Sequence, residues 1–220
     1  MSIFLVNKPS GPTSHDIVDL MRKITGEKRV GHAGTLDPFA EGLLIVLVGR
    51  ESTKRQAEFM KLDKVYEATF VLGEERDTDD VTGKLRSSFS SEKTNEAPTR
   101  SVVKEVLQKF VGEIDQMPPA YSAKKIKGKK AYELARAGIE PELKPKKITI
   151  YSLKILDYQW PELKIRTKVS SGTYIRALAR DMGRELGVGA YVKELRRTKI
   201  GKYELKNATT TEDLEKTKRL

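Results

Sequence analysis

The chain has 220 residues, of which 38% are hydrophobic and 33% are charged, a balance that fits one good-sized domain or a domain with a small appendage. Its 42 lysines and arginines outnumber its 31 acidic residues, and the formal charge of +11 favours a polyanionic partner over a merely well-solvated basic surface. The absence of cysteine excludes disulfides, thiolate nucleophiles and Cys-containing zinc sites, and two histidines are too few for a His-rich metal site.

The first half of the chain mixes helical and strand patterns. A 3.6-residue apolar repeat from Ile17 to Ile24 predicts an amphipathic helix that Thr13 or Ser14 caps. The other elements predicted in this half are, in order, a buried strand at 43–48 ("LLIVLV"), a strand at 65–72, an acidic turn at 73–83, a polar loop at 87–99 and a helix with apolar residues from Val103 to Phe110.

The second half continues the mixture without a long linker or an internal repeat. Its predicted elements are two strands of a one-sided sheet at 146–156 and 163–170, an amphipathic helix at 173–187 and a last strand at 199–206. Because strands and helices do not alternate regularly, the order predicts an α+β fold whose sheet is largely antiparallel.

No segment of the sequence resembles an export signal or a membrane span. The opening "MSIFLVNKPS" lacks the basic start, long apolar stretch and small-residue cleavage site of a signal peptide. The longest apolar run, at 43–48, is too short to cross a bilayer. We therefore expect a cytoplasmic protein with no membrane partner.

One carboxylate, Asp37, lies in the glycine-rich stretch "GHAGTLDPFAEG" at 31–42. Asp-Pro and Gly are common in surface turns, so these twelve residues alone allow a simple turn. The other motifs narrow the chemistry. "GVGAY" at 187–191 lacks the third glycine of a dinucleotide loop and follows a helix, and no GxxxxGK[ST] phosphate loop occurs. What remains is carboxylate chemistry on a basic protein without a recognisable cofactor motif.

Six blocks together resemble the TruB family, the synthases that make pseudouridine 55 in the TΨC loop of tRNA. In chain order they are "KPSGPTS" (8–14), "GHAGTLDPFAEGLL" (31–44), "KVYEA" (64–68), "DTDDVTG" (77–83), "PPAYSAKKIKGKKAYELARAG" (118–138) and "SSGTYIRALARDMG" (170–183). The similarity covers roughly residues 3–205. It implies the pseudouridine synthase fold, a mixed and largely antiparallel sheet flanked by helices with a basic RNA-gripping insertion, and isomerase activity on tRNA.

The resemblance makes Asp37 the catalytic aspartate. Pseudouridine formation breaks the C1′–N1 bond of uridine and rejoins the base through C5, which requires no redox step, cofactor or metal. A well-held carboxylate could form an ester at C1′, attack C6 or remove the C2′ proton, and the sequence leaves these three routes open. A carboxylate in a base pocket tends to take up a proton as it loses water, so a cation must hold it ionised.

The remaining site residues are also implied by the resemblance. Arg176 matches the arginine that pairs with the catalytic aspartate in the family. Alternatively, Arg176 has no catalytic role and is one more charge on a helix that also carries two further arginines. Tyr66 would stack on the target base and is a candidate relay for the C5 proton, while Tyr174 and Leu195 would line the pocket; both tyrosines could instead be core aromatics. His32 would hold the extruded RNA or else be a capped loop residue.

Two parts of the sequence qualify this expectation. Lys8 and Pro9 fit a structural role beside the catalytic loop better than contact with substrate. In the acidic block the family usually has Thr before Asp77, whereas this chain has Arg76, which leaves the roles of Asp77 and Asp80 in doubt.

The segment 121–147 holds nine Lys or Arg residues against three Glu. We expect this basic flap, within an insertion at about 118–147, to grip the phosphates of a hairpin loop, unless it is only a solvated lysine-rich loop. The lysines expected to contact the RNA backbone are Lys124, Lys127, Lys129 and Lys130.

The expected organisation is a catalytic domain at 1–206 and a short tail at 207–220, with no carboxy-terminal PUA domain. The expected partner is the T stem-loop of tRNA, bound by a monomer that flips out its uridine. Two alternatives remain, a non-catalytic RNA-binding protein or tRNA-folding chaperone and a pseudouridine synthase that acts on another RNA.

Overall fold

The computed structural model describes residues 2–88, 97–122, 125–126, 128–139 and 141–217. The helices are α1 (Ser14–Thr25), α2 (Arg50–Thr53), α3 (Gln56–Met60), α4 (Arg100–Lys109), α5 (Ala131–Arg136), α6 (Ile175–Glu185) and α7 (Thr211–Thr217). The strands are β1 (Ser2–Lys8), β2 (Val30–His32), β3 (Glu41–Val48), β4 (Lys64–Leu72), β5 (Glu74–Arg76), β6 (Leu85–Ser88), β7 (Gly112–Gln116), β8 (Lys125–Ile126), β9 (Lys129–Lys130), β10 (Lys146–Gln159), β11 (Glu162–Val169), β12 (Ala190–Ile200), β13 (Tyr203–Glu204) and β14 (Thr209–Thr210).

The helices predicted from apolar periodicity are confirmed as α1, α4 and α6. At the start of α1, the Thr13 hydroxyl accepts a hydrogen bond from the backbone N–H of Asp16, and the Asp16 carboxylate accepts one from the backbone of Thr13 at 2.7 Å. This reciprocal capping satisfies two donors that the helix itself leaves unpaired. Gly26 ends the helix in the left-handed conformation, at φ 70°, which a residue without Cβ adopts without strain.

Four of the predicted strands are confirmed, as β3, β4, β10 and β11. The sequence analysis did not predict β1 or most of β12, although both are seven or more residues long. The single strand expected at 199–206 is wrong. The chain reverses at Gly201, with φ 51°, so that Ile200 at the end of β12 pairs with Tyr203 in β13. The polar loop expected at 87–99 lies largely outside the described residues, which resume at 97.

The chain divides into two compact units, 1–67 with 194–220, and 68–193. In the first unit the strand order is β14-β1-β3-β12, with β2 also paired to β3 and β13 to β12. β1 and β3 are antiparallel, whereas β1–β14 and β3–β12 are parallel. The sheet of this unit is therefore mixed, as the family resemblance implies.

β3 is the centre of the first unit because both of its faces are buried. Leu44 and Val46 pack with Ile17 and Met21 of α1, and Leu214 of α7 joins the same cluster. The alternate β3 side chains pack on the other face with Phe59 and Ile200, and these are Leu43, Ile45 and Leu47. The segment expected to be a short tail thus contributes β14 and α7 to the packing of this unit.

In the second unit the strand order is β4-β11-β10-β7. β10 pairs antiparallel with β11 on one side and with β7 on the other. β11 alternates strictly between exposed and buried residues, so the sheet here has one packed face and one open face. α4 contacts both β10 and α6.

Candidate active site

Asp37 lies in the loop that joins β2 to β3. The two strands are antiparallel, with His32 opposite Val46, and the backbone N–H of Ala33 continues the pairing by donating to Ile45 at 2.9 Å. Within the loop the N–H of Ala40 donates to the carbonyl of Asp37 at 3.1 Å, which closes a tight turn around the half-buried carboxylate. Gly34, three residues before Asp37, has φ 105°, a backbone conformation that glycine adopts without strain.

Arg197 holds this loop from β12. Its side chain is only 1% exposed, and its Nε donates to the carbonyl of Leu43 at 2.8 Å. Its Nη2 donates to the carbonyl of Gly34 at 2.9 Å and its Nη1 to that of Thr35 at 3.4 Å. One buried guanidinium therefore binds both ends of the loop that carries Asp37, an arrangement that suits its rigid fork of donors.

The close approach of β12 also explains a glycine in the motif. Arg197 pairs with Gly42 in the parallel register. A Cβ at Gly42 would lie 2.9 Å from the backbone N of Arg197 and still closer to its carbonyl O, and Gly42 has φ 106°. Any larger residue would push β12, and with it the guanidinium, away from the loop.

Lys8 holds the same loop from β1. Its ammonium is fully buried and donates to the carbonyls of Pro9, Pro12 and Pro38 at 2.8, 2.7 and 3.2 Å. Burial lowers the pKa of Lys8 to about 8, while the negative charge of Asp37 acts in the opposite direction. These contacts agree with the structural role expected for Lys8 and Pro9.

Ser14 provides a third attachment, at the first residue of α1. Its hydroxyl donates to the carbonyl of Leu36 at 3.0 Å and accepts from the N–H of Leu36 at 2.8 Å. The N–H of Gly11 donates to the carbonyl of Pro38 at 2.8 Å. The residues on both sides of Asp37 are therefore fixed by α1, β1 and β12.

The other predicted residues of the first unit are His32, Tyr66 and Leu195. His32 is half-buried, its carbonyl accepts from the Gln56 amide at 2.6 Å, and its buried Nδ1 has no hydrogen-bond partner among the described residues. Burial, with the nearby charge of Arg197 second, lowers the pKa of His32, which favours the neutral ring. Tyr66 on β4 and Leu195 on β12 are both buried.

In the second unit Arg176 is the second residue of α6 and is 4% exposed. Its Nη1 donates to the carbonyl of Thr78 at 2.7 Å and lies 3.3 Å from a carboxylate oxygen of Asp80, and its Nη2 donates to the carbonyl of Tyr121 at 2.9 Å. The other oxygen of Asp80 accepts from Thr78 and Thr82, so the carboxylate that faces Arg176 is itself held in place. Asp80, whose role the sequence leaves in doubt, is thus a buried counter-charge of Arg176.

Arg176 is the first of three arginines spaced four residues apart on α6, each of which faces an acidic residue of the segment 75–80. Arg180 pairs with Asp79 at 3.1 Å and Arg184 with Glu75 at 2.9 Å. Asp79 has a positive φ of 59°, and its burial raises its pKa to about 6 despite the neighbouring arginines. The unexpected Arg76 stacks over the ring of Tyr191 at 4.2 Å and donates to the carbonyl of Val81, which fastens the same segment.

Tyr174 directly precedes α6, makes no capping hydrogen bond with its side chain, and is half-buried. The side-chain amide of Gln116 accepts from its N–H at 2.8 Å and donates to its carbonyl at 3.0 Å. The structure thus fixes the backbone of Tyr174 and the guanidinium of Arg176 at one helix end.

The sequence did not identify Gln116, Arg197, Ser14 or Asp80 as supports of the site. Ser14 had a local signal, its position as a candidate helix cap, whereas nothing in the neighbouring sequence distinguished Gln116, Arg197 or Asp80 as supports. Of the predicted phosphate-binding lysines, Lys124 and Lys127 lie outside the described residues, and the backbone of Lys129 and Lys130 forms β9, paired to β8.

Within the described ranges, no cluster of His, Asp and Glu has the geometry to hold a metal ion. No helix in the same ranges is long and apolar enough to span a membrane.

Two family models match most of the chain. Residues 22–175 match the model of the TruB family pseudouridylate synthase N-terminal domain, and residues 176–219 match the tRNA pseudouridylate synthase B C-terminal domain. The chain is 47% identical over 211 residues to tRNA pseudouridine synthase B of Endomicrobium trichonymphae, covering 96% of this chain and 90% of that protein. It is 46% identical to the synthase of the same name from Protochlamydia amoebophila over 93% of this chain and 76% of that protein.

Among solved structures, the chain resembles Cbf5 in the archaeal box H/ACA sRNP Nop10–Cbf5 complex. The TM-score is 0.70 at 26% identity, and the similarity covers 96% of this chain. The chain spans about half of that archaeal protein, 52% of its length. This likeness supports the pseudouridine synthase fold.

Proposed function

The chain belongs to the TruB family of pseudouridylate synthases, and from that membership we propose that it converts uridine 55 in the TΨC loop of tRNA to pseudouridine, with Asp37, Tyr66 and Arg176 as catalytic residues. The activity itself, isomerisation of a tRNA uridine, is shared with relatives about 45% identical over nearly the whole chain. The position modified and the role of each residue are the parts that need an experiment.

The observation that carries the proposal is the way in which the loop around Asp37 is held. Two buried cations, Lys8 and Arg197, donate to carbonyls on both sides of it, and Ser14 binds the residue immediately before it. A surface turn needs no such support, because its polar groups are satisfied by water. Fixing a carboxylate in a single position is what a reaction at one atom of a bound ribose or base requires.

Two buried cations lie close to the loop that carries Asp37. They are the ammonium of Lys8 and the guanidinium of Arg197, and the negative charge of Asp37 acts to raise the pKa of Lys8. An ionised carboxylate can act as a nucleophile at C1′ or C6 or as a base toward C2′. All three routes end with the same atoms: the C1′–N1 bond is replaced by C1′–C5, C5 loses a hydrogen and N1 gains one.

Arg176 is proposed as a catalytic residue because its guanidinium is fixed before substrate arrives. Asp80 and the carbonyls of Thr78 and Tyr121 hold it at the start of α6, so its orientation does not have to be created on binding. Tyr174, bracketed by Gln116, and the buried Leu195 are proposed to line the uridine pocket together with Tyr66.

The RNA contacts proposed outside the pocket are the neutral ring of His32 and the lysines of the basic flap, Lys124, Lys127, Lys129 and Lys130. The charge of +11 supports a phosphate-rich substrate. Since the substrate is tRNA, we place the protein in the cytoplasm, and we propose that it acts as a monomer, which light scattering at the working concentration can check.

The test uses an unmodified tRNA transcript that carries tritium at C5 of its uridines. Isomerisation removes the C5 hydrogen, so tritium released into water measures turnover, and mapping the product by position shows which uridine reacted. We expect release from one uridine per tRNA, at position 55. Binding without release would support the RNA-binding alternative, and release from another position or only from another RNA would reject the assignment to uridine 55.

A further inference from the structure

The guanidinium of Arg180 binds two segments of the chain that also hold Arg176. Its Nη1 donates to a carboxylate oxygen of Asp79 at 3.1 Å, and its Nη2 donates to the carbonyl of Met117 at 2.9 Å. Its Nε donates to Asp181 at 2.9 Å, so each of its three nitrogens has an acceptor. The side chains of Arg180 and Asp79 are only 11% and 12% exposed, which makes this ion pair a nearly buried one.

Arg176, one helical turn earlier, binds neighbours of the same two residues. Its partners Thr78 and Asp80 flank residue 79. Another partner, the carbonyl of Tyr121, follows residue 117 by four positions. Both segments are therefore attached to α6 at two successive turns, and a change in the contacts of Arg180 displaces the groups that hold Arg176.

The segment 117–121 is stiff between its two attachment points. Pro118 and Pro119 stand between them, both are buried, and their rings fix φ. Each of these prolines also restricts the residue before it to extended conformations. Because little backbone freedom remains to absorb a displacement of Met117, the displacement is passed on to the carbonyl of Tyr121.

The backbone of Asp79 is fixed independently of its carboxylate. The N–H of Val192 in β12 donates to the carbonyl of Asp79 at 3.0 Å, and the N–H of Val81 donates to the carbonyl of Val192 at 2.9 Å. Asp79 has φ 59°, in the left-handed region that aspartate and asparagine adopt more readily than most residues. What the carboxylate adds to this backbone is the contact with Arg180.

We propose that Arg180, held in its orientation by Asp79, is a positioning residue that fixes the segments around the guanidinium of Arg176 and so sets where that guanidinium lies when uridine binds. The proposal rests on the proposed function for the catalytic role of Arg176. Arg184, the next arginine on α6, is the natural comparison, because it pairs with Glu75 at 2.9 Å while its side chain is 55% exposed.

The test compares two variants that keep the charge on α6. Arg180→Lys loses the planar fork that joins Asp79 to Met117, whereas the matched control Arg184→Lys alters a half-exposed contact one turn further along. Tritium release from the unmodified tRNA transcript gives kcat and KM at a temperature where thermal unfolding shows that both variants are folded.

We expect Arg180→Lys to lower kcat by about tenfold with KM within about twofold of the wild type, because a displacement of about 1 Å already costs about a hundredfold in rate. Arg184→Lys should keep the wild-type kcat. A wild-type kcat in folded Arg180→Lys, or an equal loss in the control, would overturn the proposal.

Asp79→Asn is the second variant, which removes the charge but suits the same backbone conformation. The charged groups of α6 near Asp79 are Arg176, Arg180, Arg184 and Asp181. The segment 117–121 has no charged residue. Burial raises the pKa of Asp79 to about 6, so its carboxylate is ionised at about pH 8 and mostly protonated, like an asparagine in charge, at about pH 5.

The ratio of wild-type kcat to that of Asp79→Asn should therefore be near 1 at about pH 5 and about fivefold to tenfold at about pH 8. Titrations of all other groups are common to both proteins and cancel in this ratio. The control Glu75→Gln removes a carboxylate that pairs with the next arginine of α6, and its ratio should stay near 1 at both pH values. A ratio for Asp79→Asn that does not change with pH would overturn the proposal.

A spectroscopic measurement separates this proposal from the proposed function. The Nε–H signal of Arg176 in a nitrogen–proton NMR spectrum, identified by its loss in Arg176→Lys, reports the surroundings of the guanidinium without RNA. It should shift in Arg180→Lys and stay in place in Arg184→Lys. If the wild type releases no tritium, the proposed function fails, and this signal alone decides whether Arg180 positions Arg176. If the wild type isomerises tRNA and Arg180→Lys changes neither the signal nor kcat, the positioning role fails and the proposed function stands.

Discussion

Replacing Arg197 with lysine tests whether β12 positions the catalytic loop. The variant keeps a positive charge in the core but loses the planar fork that reaches Gly34, Thr35 and Leu43. A lysine ammonium in the same space can keep about one of these three contacts, which leaves two buried carbonyls without their donor. At about 1 to 3 kcal/mol for each unsatisfied group, the free energy of unfolding should fall by roughly 2 to 6 kcal/mol.

The effect on catalysis should exceed what lost stability alone would give. The three carbonyls lie on both sides of Asp37, and a displacement of reacting groups by about 1 Å can cost about a hundredfold in rate. We therefore expect kcat for tritium release to fall by about two orders of magnitude at a temperature where the variant is folded, while KM for tRNA changes by less than about threefold.

The neighbouring Arg196 provides the control. Its side chain is about half exposed and faces Glu41 at 3.4 Å, so Arg196→Lys should leave both stability and kcat near the wild-type values. If Arg197→Lys does not fold, Ser14→Ala tests the same loop through the contact with Leu36 and should lower kcat at a stability cost of only about 1 to 2 kcal/mol. A folded variant of Arg197 or Ser14 that keeps the wild-type kcat, or in which only KM changes, would refute the claim that these two residues position Asp37 for catalysis.

The remaining predictions concern four acidic and basic residues. Asp37→Asn should abolish tritium release yet bind tRNA within about tenfold of the wild type, about 1.4 kcal/mol, and measurable turnover would end the catalytic assignment. Arg176→Lys should lower turnover by at least about a hundredfold, roughly 3 kcal/mol, and near-normal activity would show that only charge is needed there. Asp80→Asn removes the carboxylate 3.3 Å from Arg176, so it should lower the free energy of unfolding by about 3 to 5 kcal/mol and also lower turnover. A variant as stable as the wild type in urea unfolding would contradict this expectation. Burial raises the pKa of Asp79 to about 6, so the folded state keeps a proton that the unfolded state has lost, and stability should fall by up to about 3 kcal/mol as the pH rises from about 4 to above 6. Urea unfolding at several pH values should show this dependence lost in Asp79→Asn and kept in the control Asp115→Asn. If Asp79→Asn keeps the pH profile of the wild type, Asp79 is not the source of the dependence.

The local elements of this chain were readable from its sequence because each one repeats a short pattern. The apolar spacing of α1, α4 and α6 and the continuous apolar run of β3 need no knowledge of distant residues. The loop around Asp37 was equally visible, since its glycines allow the positive φ angles of a turn and its proline fixes φ locally. The family resemblance also lies in such short ordered motifs, and both family models match the chain.

The supports of the site could not be predicted in this way, because their partners are far apart in sequence. Arg197 binds carbonyls more than 150 residues away, and the Gln116 amide meets Tyr174 across 58 residues. The strand β12 was missed for the same reason. Its sequence "AYVKELRRTKI" is rich in charged residues that favour an exposed assignment, and Arg197 is nevertheless buried because the loop supplies acceptors for its guanidinium.

The sequence determined which residue types are available for the chemistry and where the chain turns, and the tertiary structure decided which charges are buried and what each one faces. Asp80 illustrates the difference. As one of three aspartates in "DTDDVTG" it has no distinguishing feature in the sequence. In the structure it is the one that lies 3.3 Å from Arg176 and accepts three hydrogen bonds from Thr78 and Thr82. A charge can be buried only where packing brings it a partner, and that partner is set by the fold and not by the neighbouring residues.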